Sequence, residues 1–163
     1  MKVAVARSFV LAVLLFSGLV SFAQQKFPIG PNPTTTPGSL CTDSTQHRYA
    51  ENIVYCVRNV SSDLKNQLIQ TYDHQLGFQI EQMPRGDFKI DHFIPLSIGG
   101  SNNPDNLWPQ HKSVYTKTDP LELLVFQKIS NAHITQAEAV RVIREAKLNL
   151  DRVPELIDYV QGL

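Results

Sequence analysis

No charge of either sign dominates this sequence, in which 15 Lys and Arg balance 15 Asp and Glu. A chain that grips nucleic acid by charge alone carries a basic excess, because phosphate neutralisation supplies most of that affinity. The balance therefore argues against a tight nonspecific nucleic-acid binder, although not against an enzyme that turns over weakly held substrate with a cation supplying local positive charge. Cysteine is scarce as well, with two residues in all. Thiolate metal ligation at Cys41 and Cys56 is the poorer reading, since no further Cys lies nearby. No internal repeat is visible, and no second apolar run follows the first. At 163 residues the chain is long enough for one domain with a real core but not comfortably for two.

The first segment, "MKVAVARSFVLAVLLFSGLVSFAQQ", places Lys2 and Arg7 before an apolar run and ends that run with Ser21, Phe22 and Ala23. This is the pattern of a secretory signal peptide over residues 1–23, cut after Ala23. The apolar run is shorter than the ~20 residues of a spanning helix, which disfavours a retained anchor. Without Lys2 and Arg7, 13 basic residues face 15 acidic ones, a formal charge of −2. Export to the periplasm or the medium is an oxidising destination, and there Cys41 and Cys56 are expected to pair.

Residues 24–40 are rich in Pro, Thr and Gly and carry no period, so they read as an extended arm ahead of a domain over 41–163. In "SSDLKNQLIQTYDHQLG" the residues Leu64, Leu68, Tyr72 and Leu76 recur every fourth position, with Ser61 as N-cap and Gly77 just past the end. An amphipathic helix is expected there. "FKIDHFIPL" is β-prone and "SIGGSNNPDN" is dense in turn formers, which predicts two short strands joined by a loop. A helix is then expected to open near Pro109 and run from Gln110 to Ser130, with Pro120 breaking or kinking it into two. Thr135 and Glu138 form a capping-box pattern before Ala139, Val142, Ile143 and Ala146, and a last helix is expected near Pro154.

The chemistry concentrates in "FKIDHFIPLSIGGSNNPDNLWPQH", residues 88–111. Hydrolysis of a phosphodiester at neutral pH needs a base to take a proton from water and a cation to neutralise the developing charge. A neutral imidazole suits the first task, and His92 is the candidate. A carboxylate is a hard oxygen ligand for Mg²⁺ or a similar ion, and Asp91 is the candidate. Adjacent residues of an extended segment point to opposite faces, so the two share one task only where the backbone twists or another element closes over them. In isolation such an Asp-His pair reads as an ordinary solvated one at a strand end. Leu107 and Trp108 read as core, and His47, His74 and His133 as surface residues.

The order of acid-His, Pro, Gly-Gly and Asn-Leu in "DHFIPLSIGGSNNPDNLWPQ" resembles the core of the HNH nuclease superfamily, and the longer pattern is similar to small exported bacterial HNH-like proteins. The likeness is loose over residues 36–150 and tight over about two dozen residues around this motif. It implies a small, mostly helical α+β domain around a ββα metal site, and a metal-dependent endonuclease acting on DNA or RNA. Under that resemblance Asp91 is the metal-ligand acid, His92 the general base, and Asn106 the residue that fixes the loop and helps orient the base. Gly99 and Gly100 match the turn, where a positive φ is easy only for glycine. The family's further ligand falls at Tyr115, and His111, one helical turn earlier, is the substitute. The implied cofactor is a divalent ion, Mg²⁺ first and Mn²⁺, Ni²⁺ or Zn²⁺ as alternatives. Arg85, Lys89, Lys112 and Lys117 flank the motif as candidate phosphate contacts, with a solvated surface role as the competing reading. The other class of function is a noncatalytic extracytoplasmic binding module that retains the fold.

Overall fold

In the computed structural model, which describes residues 25–163, the chain is a mixed α/β fold with two small antiparallel sheets and four α-helices. The segment expected to be a signal peptide lies outside the described residues. Strands β1 (His47–Arg48) and β2 (Ile53–Val54) form a short hairpin. Helix α1 (Ser62–Gln70) follows, then the second hairpin of β3 (Phe88–His92) and β4 (Leu107–His111), and then α2 (Lys112–Ser130), α3 (Gln136–Leu148) and α4 (Val153–Gln161).

Local chemistry sets most of these boundaries. Ser61 caps α1 by accepting the Leu64 N–H at 3.1 Å, and Thr135 caps α3 by accepting the Glu138 N–H at 3.2 Å. Past Gln70 the first helix widens into a π turn over Thr71–Gln75 and stops before Gly77, whose φ is 78°. Tyr72, buried in that turn, is one of the two residues of the expected apolar stripe that are fully buried, with Leu68.

Two expectations about α2 are corrected. Pro109 does not open a helix; it lies in β4 opposite Ile90. A two-stranded hairpin has only edge strands, so a residue without an N–H is tolerated there. Pro120 does not divide the helix, which runs unbroken from Lys112 to Ser130. An interior proline costs a helix about 3 kcal/mol. Val114, Leu121, Val125 and Ile129 are all buried along α2, and burial contributes about 1.5–3 kcal/mol for each such side chain, which outweighs the loss.

Two main apolar clusters result. One joins α2, α3 and α4 to Ile53, Ile94 and Ile98; the other gathers Tyr72, Ile80, Phe88, Phe93, Trp108 and Val114. The Pro/Thr-rich arm packs against both the hairpin loop and the helices. Thr36 is buried, with its hydroxyl 2.8 Å from the Tyr72 hydroxyl and donating to the Leu107 carbonyl at 3.2 Å. Leu40 bridges Gly100, and the Cys41 N–H donates to the Gly99 carbonyl at 2.8 Å.

Cys41 and Cys56 are joined in a disulfide, with 5.7 Å between their Cα atoms. Closing a 15-residue separation is worth about 3 kcal/mol on the chain-entropy model. Oxidised protein is therefore expected to be two hydrogens lighter in intact mass than the reduced form, and reduction is expected to lower unfolding free energy by about that amount. Chemical denaturation with and without reductant measures it, and superimposable curves would contradict it. Among the described residues no helix is long and apolar enough to cross a membrane.

Candidate functional site

The hairpin loop over residues 93–106 is organised by one buried side chain. Asn106 Oδ1 accepts the Ile94 N–H at 2.9 Å, while its Nδ2 donates to the Ile94 and Ser101 carbonyls, each at 2.9 Å. The loop is thus clamped across its base, where the Phe93 N–H also donates to the Asn106 carbonyl at 2.7 Å. The two glycines serve different needs. Gly99 has a φ of 88°, the left-handed region that favours glycine. Gly100 is required by close approach, since a Cβ there would meet the Ile94 carbonyl oxygen at 1.8 Å.

This loop and the end of β3 position His92, whose residue is 3% exposed. One ring nitrogen, Nδ1, lies 3.3 Å from the Arg58 guanidinium, and the other, Nε2, lies 3.1 Å from Asn102 Oδ1. A guanidinium can only donate, so Nδ1 accepts and the ring proton resides on Nε2, which donates to Asn102. The amide of Asn102 is itself oriented: its Nδ2 donates to the Val57 carbonyl at 2.8 Å and its Oδ1 also accepts the Asn59 N–H at 3.2 Å. Asn102 therefore ties the segment after Cys56 to the hairpin loop and fixes the imidazole. Burial pushes His92 below the ordinary histidine value, so the ring is neutral at pH 7.

The Asp91 carboxylate turns to different partners. Its Oδ2 accepts from the Lys147 ammonium at 2.9 Å, and its Oδ1 lies 3.8 Å from the Lys89 ammonium. Lys147, 1% exposed, also donates to the His92 carbonyl at 2.6 Å and pairs with Glu122 on α2 at 2.7 Å. Burial by itself would raise the Asp91 carboxyl, but Lys147 and Lys89 outweigh it and hold the group below the usual carboxylate range. Burial would likewise depress the Lys147 ammonium, and Asp91 and Glu122 reverse that. Glu122 is the member that burial succeeds in raising.

The remaining candidates lie apart from this pair or are already engaged. His111 is the N-cap of α2; its Nδ1 accepts the Ser113 N–H at 3.2 Å, and its ring stacks on Phe27 with centroids 3.8 Å apart. Tyr115 carries the Lys89 ammonium 4.7 Å from its ring centre. Lys89 is ion-paired with Asp119 and Lys112 with Asp87, and Arg85 donates to the Phe88 carbonyl at 2.8 Å. Lys117 is exposed beside a cleft lined by Leu150, Asp151, Val153 and Pro154.

Those residues do not fit a divalent ion. Among the described residues the one trio of His, Cys, Asp or Glu ligand atoms within 4.8 Å of one another is Cys41, Asp43 and Cys56, and its two sulfurs are consumed by the disulfide. Asp91 offers its carboxylate to ammonium groups, and His111 is occupied as a helix cap. Sequence reasoning missed four residues of the site, among them Glu122. Asn102 read as one turn former among several, and Arg58 carried no local signal. Lys147 did carry one: it follows Ala139, Val142, Ile143 and Ala146 on the buried face of α3, where a lysine requires an acidic partner.

Comparison of the chain with models of known protein families, with curated proteins and with solved structures found no match.

Proposed function

We propose that this protein is an exported phosphodiester-cleaving enzyme of HNH type acting on nucleic acid, with His92 as general base and Arg58 as the phosphate-binding group. The observation that carries this reading is the state of the His92 ring. It is neutral, its Nε2–H is anchored by Asn102, and its Nδ1 lone pair faces an exposed guanidinium 3.3 Å away. Arg58 is suited to planar bidentate contact with a phosphate. When the guanidinium turns to an incoming phosphate, Nδ1 is released to take a proton from a water or from a sugar hydroxyl. The same positive group then neutralises charge as it develops on the phosphoryl oxygens. The succession of β3, the clamped loop, β4 and α2 supports a ββα reading of HNH type, and the Cys41–Cys56 disulfide supports export.

The direct test is incubation of the purified chain with supercoiled plasmid and with single-stranded RNA, in chelator and in Mg²⁺, Mn²⁺, Ni²⁺ or Zn²⁺ separately. Nicking or shortening of either polymer supports the reading. Retention of polymer without any cleavage supports instead a noncatalytic module that binds phosphate. The near-complete burial of His92, which limits access of a water to the ring, favours that second reading.

Arg58→Ala is expected to raise KM by about tenfold or more, as loss of a charge-assisted contact of about 1.5–3 kcal/mol requires. Steady-state kinetics on a short oligonucleotide checks it, and an unchanged KM and kcat would remove Arg58 from the site.

A further inference from the structure

We propose that Lys147 is the built-in cation of this site: its ammonium holds the Asp91 and Glu122 carboxylates that a divalent ion would otherwise take, and the protein works there without a metal. Three oxygens from two elements surround Nζ. They are Asp91 Oδ2 at 2.9 Å and the His92 carbonyl at 2.6 Å, both on β3 or its end, and Glu122 Oε1 of α2 at 2.7 Å. The first two are hydrogen bonds and the third is an ion pair, so the ammonium is engaged by all three. Lys89, tied to Asp119 at 3.1 Å, stands 3.8 Å from the other Asp91 oxygen. Both sides of the carboxylate thus face lysines, positive charges where Mg²⁺ or Ca²⁺ would gather six or more oxygen ligands.

The fold holds this lysine in place. Lys147 projects from the buried face of α3, and the arm presses on the same turn: a Cβ added at Gly30 would meet the Lys147 carbonyl oxygen at 2.7 Å. The ammonium lies between β3, α2 and α3, so one fixed charge joins three elements. It also binds the backbone carbonyl of the residue proposed as base, so it positions His92 from behind. That last consequence rests on the proposed function; the occupancy of the carboxylate pair does not.

The test is titration of the chain with Mn²⁺ alone, reading free Mn²⁺ by electron paramagnetic resonance and the melting temperature by circular dichroism. The parent protein is expected to take up no Mn²⁺ at millimolar concentration and to melt unchanged. Lys147→Ala, which uncovers both carboxylates, is expected to gain a saturable site at least about tenfold tighter than any in the parent and to melt higher with Mn²⁺. Adding Asp91→Asn to that variant is expected to abolish the gain. Should Lys147→Ala not fold, Lys147→Gln replaces it, and the parent titration decides by itself. Stoichiometric Mn²⁺ on the parent that Asp91→Asn removes would overturn the proposal, as would a folded Lys147 variant that gains no site. A protein that cleaves nothing would overturn the enzymatic reading and leave this result standing; cleavage lost in chelator and restored by Mn²⁺ would overturn this inference and leave the enzyme.

Discussion

Replacing His92 with alanine is expected to lower phosphodiester cleavage by about 10²- to 10⁴-fold, the range that a positioned general base contributes. The residue is buried against Arg58 and Asn102, so the folded state of the variant has to be established by circular dichroism before its rate is read. The pH profile separates a base from a merely packed ring. Burial holds the His92 pKa below its ordinary value of about 6.5, so the neutral form is the folded form at pH 7. Cleavage by the parent is therefore expected to be flat near neutrality and to fall on acidification only below the ordinary histidine value. In His92→Ala that acid limb is expected to vanish with the activity. The same shift has a stability consequence with a definite sign: the contribution is present above about 6.5 and is lost as pH falls through the folded pKa. A folded variant that cleaves as fast as the parent would remove His92 from the chemistry.

Lys147→Met is expected to destabilise the fold by about 3–5 kcal/mol, because it leaves the buried Asp91 and the half-buried Glu122 without their shared cation. Denaturant unfolding measures the loss as a lower midpoint. Neutralising the carboxylates together with the lysine, in Lys147→Met/Asp91→Asn/Glu122→Gln, is expected to recover much of it, since a buried charge set replaced as a whole is often nearly neutral in energy. Recovery would identify the charge imbalance as the cause; its absence would point to packing around the side chain. The pH dependence follows from the two shifts. The Asp91 carboxyl is depressed, so its share of the pairing is present above about 3.9 and is lost as pH falls through its folded pKa. The Lys147 pKa is raised, so its share is complete below about 10.4 and is lost as pH rises through the folded value.

Arg58 and Lys147 also explain why Asp91 and His92, neighbours in the chain, need not share one ligand. The carboxylate faces a lysine 56 residues away on α3, whereas the imidazole faces an arginine 34 residues away on the segment after Cys56. The disulfide closes that segment onto residue 41, and Asn102 closes it onto the hairpin loop. Arg58 is therefore held over His92 by one covalent bond and one amide, while its own side chain stays exposed.

Features set by neighbours within a few residues were determined by the sequence alone. Ser61 and Thr135 place their helices because a cap bonds an N–H three residues on. The turn formers between Pro95 and Asn106 place the hairpin loop, and the two cysteines of the chain have only each other. The tertiary structure decided what depends on elements meeting. Pro120 stays inside one helix because buried side chains on α2 outweigh the missing hydrogen bond, and His111 becomes a cap because β4 extends to it. Whether Asp91 faces a metal ion or a lysine turns on how α3 packs against β3. No local period carries that information, because a charge in a low-dielectric interior is settled by whichever partner the packing delivers within about 3 Å of it.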